Sequence, residues 1–226
     1  MEIIILAGGL GTRLRSEVND VPKPMAPVGE KPFLAVILNH LSKFRITRIV
    51  ISIGYLGHQI SSYFGGSYKG IEIVYSTESE PLGTGGAIKK ALAYLTEEQA
   101  VVVNGDTFID LDFDKMFDKY LHDKPKMMMV LKSVDDCGRY GAVKMGTHNN
   151  VEEFERNRSG VGLINAGVYV VRTDIYDKNI PGVKFSFEEF VEMNLSELQV
   201  PAYISEGYFI DMGIPSDYKV AIEKFS

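Results

Sequence analysis

Four short runs, at residues 2–7 (EIIILA), 48–53 (RIVISI), 71–75 (IEIVY) and 100–103 (AVVV), carry apolar and mostly β-branched side chains with few polar residues between them. A strand that faces water on one side alternates apolar with polar residues. A nearly continuous apolar run needs cover on both faces. The segments between these runs have helical character: FLAVILNHLSKF after Pro32, then HQISSYF, then GGAIKKALAYL. Pro32 suits the first turn of its helix, and Thr84 is placed to cap the third. Strand alternating with helix in this way predicts a mostly parallel sheet covered by helices. Beyond Lys126 the rhythm changes. MMMVLKSV, GAVKM, VEEFE and LINAGVYVV are separated by short turns and predict strands that extend or flank the sheet, and 187–198 and 215–225 predict closing helices.

At 226 residues and 45% hydrophobic content, the chain can bury one sizeable core. No repeat, low-complexity stretch or linker divides it, so residues 1–226 are expected to form one domain. Its two functional halves are expected at about 1–110 and 111–226. A formal charge of −6 argues against a general nucleic-acid binder. A polyanionic ligand must then meet a local cluster of Lys and Arg. The single cysteine, Cys137, can form no internal disulfide and fits a reducing compartment. No run approaches the roughly 18 apolar residues of a membrane span, and no basic n-region with a long apolar core opens the chain. The expectation is a cytoplasmic protein that binds neither membrane nor nucleic acid.

The first strand runs into LAGGLGTRL, and VPKPM follows. Open α/β sheets bind ligands at the carboxyl ends of their strands, and glycines there let backbone N–H groups approach a phosphate. A plain tight turn is the simpler reading of the glycines alone. The dinucleotide fingerprint fails because its third glycine would fall on Leu14. The NTPase phosphate loop fails because no Gly-Lys-Ser/Thr follows. What remains is a glycine loop with two basic residues, Arg13 and Lys23, the latter expected to be held extended by Pro24. That arrangement suits a triphosphate. Asp106 and Asp211 each end an apolar run, where they could bind a cation or cap a helix. Asp110, Asp112 and Asp114 have the spacing that opens a calcium loop, but Lys115 and Leu121 stand where that loop needs Gly and Glu. They read as a solvated face and a helix start.

LAGGLGTRL with VPKPMAPVGEKP, followed in order by EPLGTGGAI, NGD, RYGAV, INAGVY and FIDMGIPSDY, closely resembles the sugar-1-phosphate nucleotidyltransferases over essentially the whole chain. PKPMAPV, EPLGTGGA and FSFEEF look most like the short bacterial members that attach GMP to D-glycero-α-D-manno-heptose 1-phosphate. The resemblance implies a Rossmann-like, GT-A type fold with a mixed, mostly parallel sheet. Too few residues follow Pro215 for the C-terminal β-helix of longer relatives. It also implies transfer of a nucleoside monophosphate, from GTP in the first instance, with release of pyrophosphate, for nucleotide-sugar and surface-polysaccharide synthesis. Mannose, glucose or N-acetylmuramate 1-phosphate with GTP, dTTP or UTP stands as the alternative, and a non-catalytic nucleotide-sugar-binding regulator as a second.

A sugar 1-phosphate has a second pKa near about 6 and is already an anionic nucleophile at neutral pH. No general base is needed, and none of the four histidines lies in a motif. The demand is for positioning and charge neutralisation, Mg²⁺ included. The resemblance implies nucleotide contacts from Leu6, Ala7, Gly8, Gly9, Gly11, Thr12, Arg13, Lys23, Glu78, Gly83, Thr84, Gly85, Asn104 and Asp106. Arg13 is implied at the leaving pyrophosphate and Lys23 near the α-phosphate and sugar phosphate, with Asp106 and Asp211 as metal ligands. Where thymidylyltransferase relatives have glutamine, Glu78 offers only acceptors, which suits the N1–H and N2–H donors of guanine. Tyr140, Gly141, Glu155, Arg156 and Asn165 match sugar-holding positions. Arg156 replaces the usual lysine, and Arg158 lies close behind it.

Overall fold

The computed structural model describes residues 1–226 apart from 10, 12, 13, 15–17, 19 and 178–181. The chain opens with β1 (Glu2–Leu6), a 3₁₀ turn at Lys23–Met25, the short pair β2 (Pro27–Val28) and β3 (Lys31–Pro32), and α1 (Phe33–Leu41). β4 (Arg48–Ile53), α2 (Gly57–Phe64), β5 (Ser67–Tyr68), β6 (Ile71–Thr77), α3 (Gly83–Leu92) and β7 (Gln99–Asn104) follow. β8 (Thr107–Ile109), α4 (Phe113–Asp123), β9 (Met127–Val134), β10 (Ala142–Met145), β11 (Val151–Glu155) and β12 (Gly162–Arg172) lead into the last part. That part holds α5 (Phe187–Met193), α6 (Leu195–Leu198), β13 (Ala202–Ser205), β14 (Phe209–Asp211) and α7 (Pro215–Phe225).

One eight-stranded sheet runs β13-β9-β12-β7-β1-β4-β6-β5. β7, β1, β4 and β6 are parallel, β12 is antiparallel to both of its neighbours, and β13 is parallel to β9. The sheet is mixed, as expected, and takes strands from both halves of the chain. Its apolar runs divide by parity. Ile3, Ile5, Ile49, Ile51, Val101 and Val103 enter one core, with α1, α4 and α7 packed over them. Ile4, Val50, Val102, Met127 and Met129 enter the other, with α3 and α5 above. Each such side chain is worth about 1.5–3 kcal/mol when buried. A one-residue register slip would exchange the two faces.

Local details depart from the sequence expectations in four places. Pro32 occupies the N-cap, and α1 begins at Phe33. Thr84 does not cap α3, whose N-cap is Leu82. Its hydroxyl turns instead to α5, accepting from the Phe187 N–H (2.8 Å) and donating to Glu188 Oε2 (2.9 Å). The helix expected over 187–198 is broken at Asn194. There the side-chain amide donates to the Phe190 carbonyl (2.7 Å) and replaces the backbone bond that would continue the helix. Lys23 is not extended: Pro22 is (φ −64°, ψ 148°), and Lys23 opens a 3₁₀ turn closed by Met25 N–H to Pro22 O (2.7 Å). Asp112 caps α4 by accepting from Lys115 N–H (2.9 Å), as its helix-start reading requires.

His40 on α1 is buried among Phe44, Phe108 and Phe113 and lies 3.0 Å from the Leu111 carbonyl oxygen. Burial lowers its pKa from the ordinary value, outweighing the Leu111 bond that raises it. The folded state therefore prefers the neutral ring. This stabilisation is complete above the unfolded pKa of about 6.5 and is lost as the pH falls below it. We predict that Tm falls between pH 7.5 and 5.5, and that His40→Gln is less stable at pH 7.5 but loses less on acidification. Equal acid losses in the two proteins would remove His40 as the cause.

Candidate active site

Because β1, β4, β6 and β7 run the same way, their carboxyl ends share one edge of the sheet. The register places Leu6 beside Ser52 and Asn104, and Ser52 beside Ser76. Beyond that edge lies a cleft of about 340 Å³. Leu6 lines it from the end of β1, Ala7, Gly8, Gly9 and Gly11 from the first loop and Gly83 and Thr84 from the start of α3, and Lys23, Asn104 and Asp106 complete the lining.

Glu78 forms one wall. Ser52 Oγ donates to its Oε1 (3.1 Å) and the Leu82 N–H to its Oε2 (3.0 Å). Each carboxylate oxygen keeps a further lone pair for a ligand. Gly8 makes this possible, since a Cβ at that position would stand 2.6 Å from Glu78 Oε1. Asn104 also lines the cleft; its Oδ1 is buried with no hydrogen-bond partner among the described residues, and its amide end packs against Gly167.

The opposite end is charged. β14 pairs antiparallel with β8 and sets Asp211 opposite Thr107, while the Met212 N–H donates to Asp106 O (2.9 Å). Two carboxylates far apart in sequence thus meet. Lys23 Nζ lies 2.5 Å from Asp106 Oδ2 and 3.9 Å from Asp211 Oδ1, its side chain only 10% exposed. Arg139 Nη2 lies 3.9 Å from Asp211 Oδ2, and its Nη1 pairs with Asp217. Oxygens of Asp106 and Asp211 therefore converge on one cation, and a hard divalent metal takes such oxygen ligands. Among the described residues no group of three or more potential ligands gathers, so the two carboxylates would hold a metal only with other oxygens, from substrate or water.

Of the residues expected at the nucleotide, Thr12 and Arg13 lie outside the described residues. Gly85 is set below the cleft, where a Cβ would stand 2.2 Å from the Phe185 ring. The others of that set line the cleft. The sugar-side residues form a separate group that does not line it. Tyr140 packs edge-on to Phe209, Glu155 pairs with Arg158 (2.8 Å), and Arg156 pairs with Glu192. Asn165 donates to the Tyr169 hydroxyl (2.6 Å), which donates to Glu188 Oε1 (3.3 Å). Burial first, then the Glu188 charge, pushes the Tyr169 phenol well above its ordinary pKa and keeps it a donor. Because Glu188 also accepts from Thr84, this chain links the two groups.

Sequence reasoning missed Ser52, Arg139, Glu188 and Asp217. Ser52 left a signal, as the one hydroxyl in the apolar run RIVISI. Arg139 opens the RYGAV motif, which by itself does not show that the guanidinium approaches Asp211.

The nucleotidyl transferase family model matches residues 2–225. The chain is 45% identical over 222 residues to the D-glycero-alpha-D-manno-heptose 1-phosphate guanylyltransferase of Aneurinibacillus thermoaerophilus, covering 98% of this chain and 96% of that one. It is 44% identical over 219 residues to the protein of the same name from Campylobacter jejuni, covering 96% and 97%. The crystal structure of HddC from Yersinia pseudotuberculosis complexed with GMP-PN matches with a TM-score of 0.85 and 36% identity, over 100% of this chain and 99% of that one.

The charged end yields a prediction that needs no turnover. In the free protein Lys23 neutralises Asp106, so a divalent cation must compete with an ammonium. Titration with Mn²⁺, followed by electron paramagnetic resonance, should show weaker binding in Asp106→Asn and Asp211→Asn and tighter binding in Lys23→Met. Unchanged binding in both Asp variants would show that the pair does not hold the ion.

Proposed function

We propose that this chain, which belongs to the nucleotidyl transferase family, transfers GMP from GTP to D-glycero-α-D-manno-heptose 1-phosphate, giving the GDP-heptose and pyrophosphate. One observation carries the reading: a single cleft has an acceptor-only carboxylate, Glu78, on its wall and the Lys23, Asp106 and Asp211 cluster at its charged end. That polarity fits a guanine base with its phosphates. The two relatives matched over nearly their whole length carry the heptose guanylyltransferase name, which supports this sugar. Assembly of Lys23, Asp106 and Asp211 in one place supports catalysis over a purely regulatory role.

The reaction is an in-line displacement. An anionic oxygen of the sugar phosphate bonds to the α-phosphorus of GTP, the bond from that phosphorus to the β-phosphate bridge breaks, and pyrophosphate carries away the electron pair. Two anions must approach, so the chain's own contribution is position and positive charge. Lys23 stands beside Asp106 and within reach of phosphates in the cleft, where it offsets the repulsion that rises toward the transition state. Arg13 is assigned to the leaving pyrophosphate by its place after the glycine loop. Mg²⁺ held by Asp106 and Asp211 would supply further neutralisation of the phosphate oxygens. The division into a nucleotide half (about 1–110) and a sugar half (about 111–226), and a cytoplasmic location, belong to the same proposal. No helix among the described residues is long and apolar enough to cross a membrane.

The direct test is pyrophosphate release with four NTPs against a panel of sugar 1-phosphates. GTP with the heptose 1-phosphate should give the highest kcat/KM, and a clear preference for another pair would overturn the assignment. Lys23→Met should lower kcat by orders of magnitude while the GTP Kd stays within a few-fold.

Glu78→Gln places an amide where only acceptors serve: its NH₂ must face either the Leu82 N–H or the guanine donors. It should cost GTP about 1–3 kcal/mol of transition-state binding and pyrimidine triphosphates much less. Parallel losses across all NTPs would show that Glu78 does not read the base.

A further inference from the structure

The proposed reaction needs a second cation, one for the acceptor's phosphate, and the sequence leaves Arg156 and Arg158 both open for that place. Arg156 is two-thirds exposed and paired with Glu192, and Arg158 is paired with Glu155. Among the described residues, neither has a nitrogen within 4.0 Å of Asp106 or Asp211. Among the described residues, Lys23 and Arg139 do approach Asp211, each at 3.9 Å and each from a different carboxylate oxygen. Lys23 lines the nucleotide cleft and Arg139 does not. Asp211 therefore stands between a cation on the nucleotide side and a cation outside the cleft, on the Tyr140 side.

We propose that Arg139 binds the phosphate of the sugar 1-phosphate and delivers it to the reacting α-phosphorus, an assignment that rests on the nucleotidyltransferase reading. Its setting is that of a preorganised group. The turn that carries it is closed by the Tyr140 and Gly141 N–H groups, both donating to the Cys137 carbonyl (2.9 Å). It is tied down further by Asp136, which accepts from the Gly138 (3.0 Å) and Gly160 (3.1 Å) N–H groups. The guanidinium lies over the Tyr140 ring, 4.4 Å from its centroid. Nη1 is held by Asp217, and Nη2 donates to the Tyr140 hydroxyl.

A guanidinium has five N–H donors in a planar fork. These contacts fix the plane and leave donors over. Asp211, at 3.9 Å, lies beyond hydrogen-bond range and supplies field without taking a donor. The side chain is one-third exposed, so a solute can reach it. A planar cation held on two sides, with donors to spare and Nη2 3.9 Å from Asp211, suits a phosphate that must be gripped and aligned.

A purely structural role is the competing account: Arg139 would anchor the start of α7 through Asp217 and do nothing else. Steady-state kinetics of Arg139→Gln, Arg139→Lys and Arg156→Gln, with GTP saturating and sugar 1-phosphate varied, separates the two. Arg139→Gln should raise KM for the sugar 1-phosphate about tenfold or more, the scale of a lost charged hydrogen bond. KM for GTP should stay within about threefold, and Arg139→Lys should recover part of the loss. If Arg139→Gln lowers Tm but leaves the sugar-phosphate KM within threefold, or if Arg156→Gln shows the larger loss, Arg139 does not meet that phosphate. Failure of the heptose reading would show separately, as wild-type enzyme inactive with GTP and heptose 1-phosphate. The same comparison then runs on whichever pair the wild type uses. If the wild type turns over no sugar 1-phosphate, both assignments fall.

Discussion

Burial of the central sheet on both faces is the constraint from which the site follows. With Ile3, Ile5, Ile49, Ile51, Val101 and Val103 committed to one core, and Ile4, Val50 and Val102 to the other, the strands cannot slide by one residue without reversing every side chain. That fixes where the apolar runs end, and their ends are where the polar chemistry begins. Leu6, Ser52 and Asn104 are level because the cores hold them level. Ser52, fully buried, is thereby brought under Glu78 and fixes one oxygen of its carboxylate.

The charged end is built on different terms. Its carboxylates come from β8's leading edge and the tip of β14, two short strands outside the large sheet. Lys23 reaches them from a 3₁₀ turn bounded by prolines, and Arg139 from a turn stiffened by Asp136 and the Cys137 carbonyl. Among the described residues, Asp106, Asp211 and Asp217 gather around Lys23 and Arg139.

Much of this could be read from residues alone, and the limits have physical reasons. The apolar runs announced the strands because two-sided burial leaves an unmistakable pattern, and the glycine loop marked the cleft because close approach to Glu78 forbids a Cβ. Thr84 misled because a helix-start threonine looks the same whether it caps its own helix or another's. Lys23 misled because the preference imposed by Pro24 is weak against a turn whose amides find partners. Arg156 and Arg139 could not be ranked from sequence. Which of them approaches Asp211 depends on the fold of the whole second half, and on Glu192 drawing Arg156 away.

The pairing of β14 with β8 has a consequence in time. The Asp106 side of the cluster leaves the ribosome first, preceded by β7, which can already pair with β1. Its counterpart at Asp211 follows only after β9, β12 and β13 have been made. Because a nascent chain is extended from its amino end, the nucleotide edge can take shape while the second carboxylate is still unsynthesised. The chain therefore holds an incomplete site while residues 107–210 are being made, and completes it with one late, long-range strand pairing.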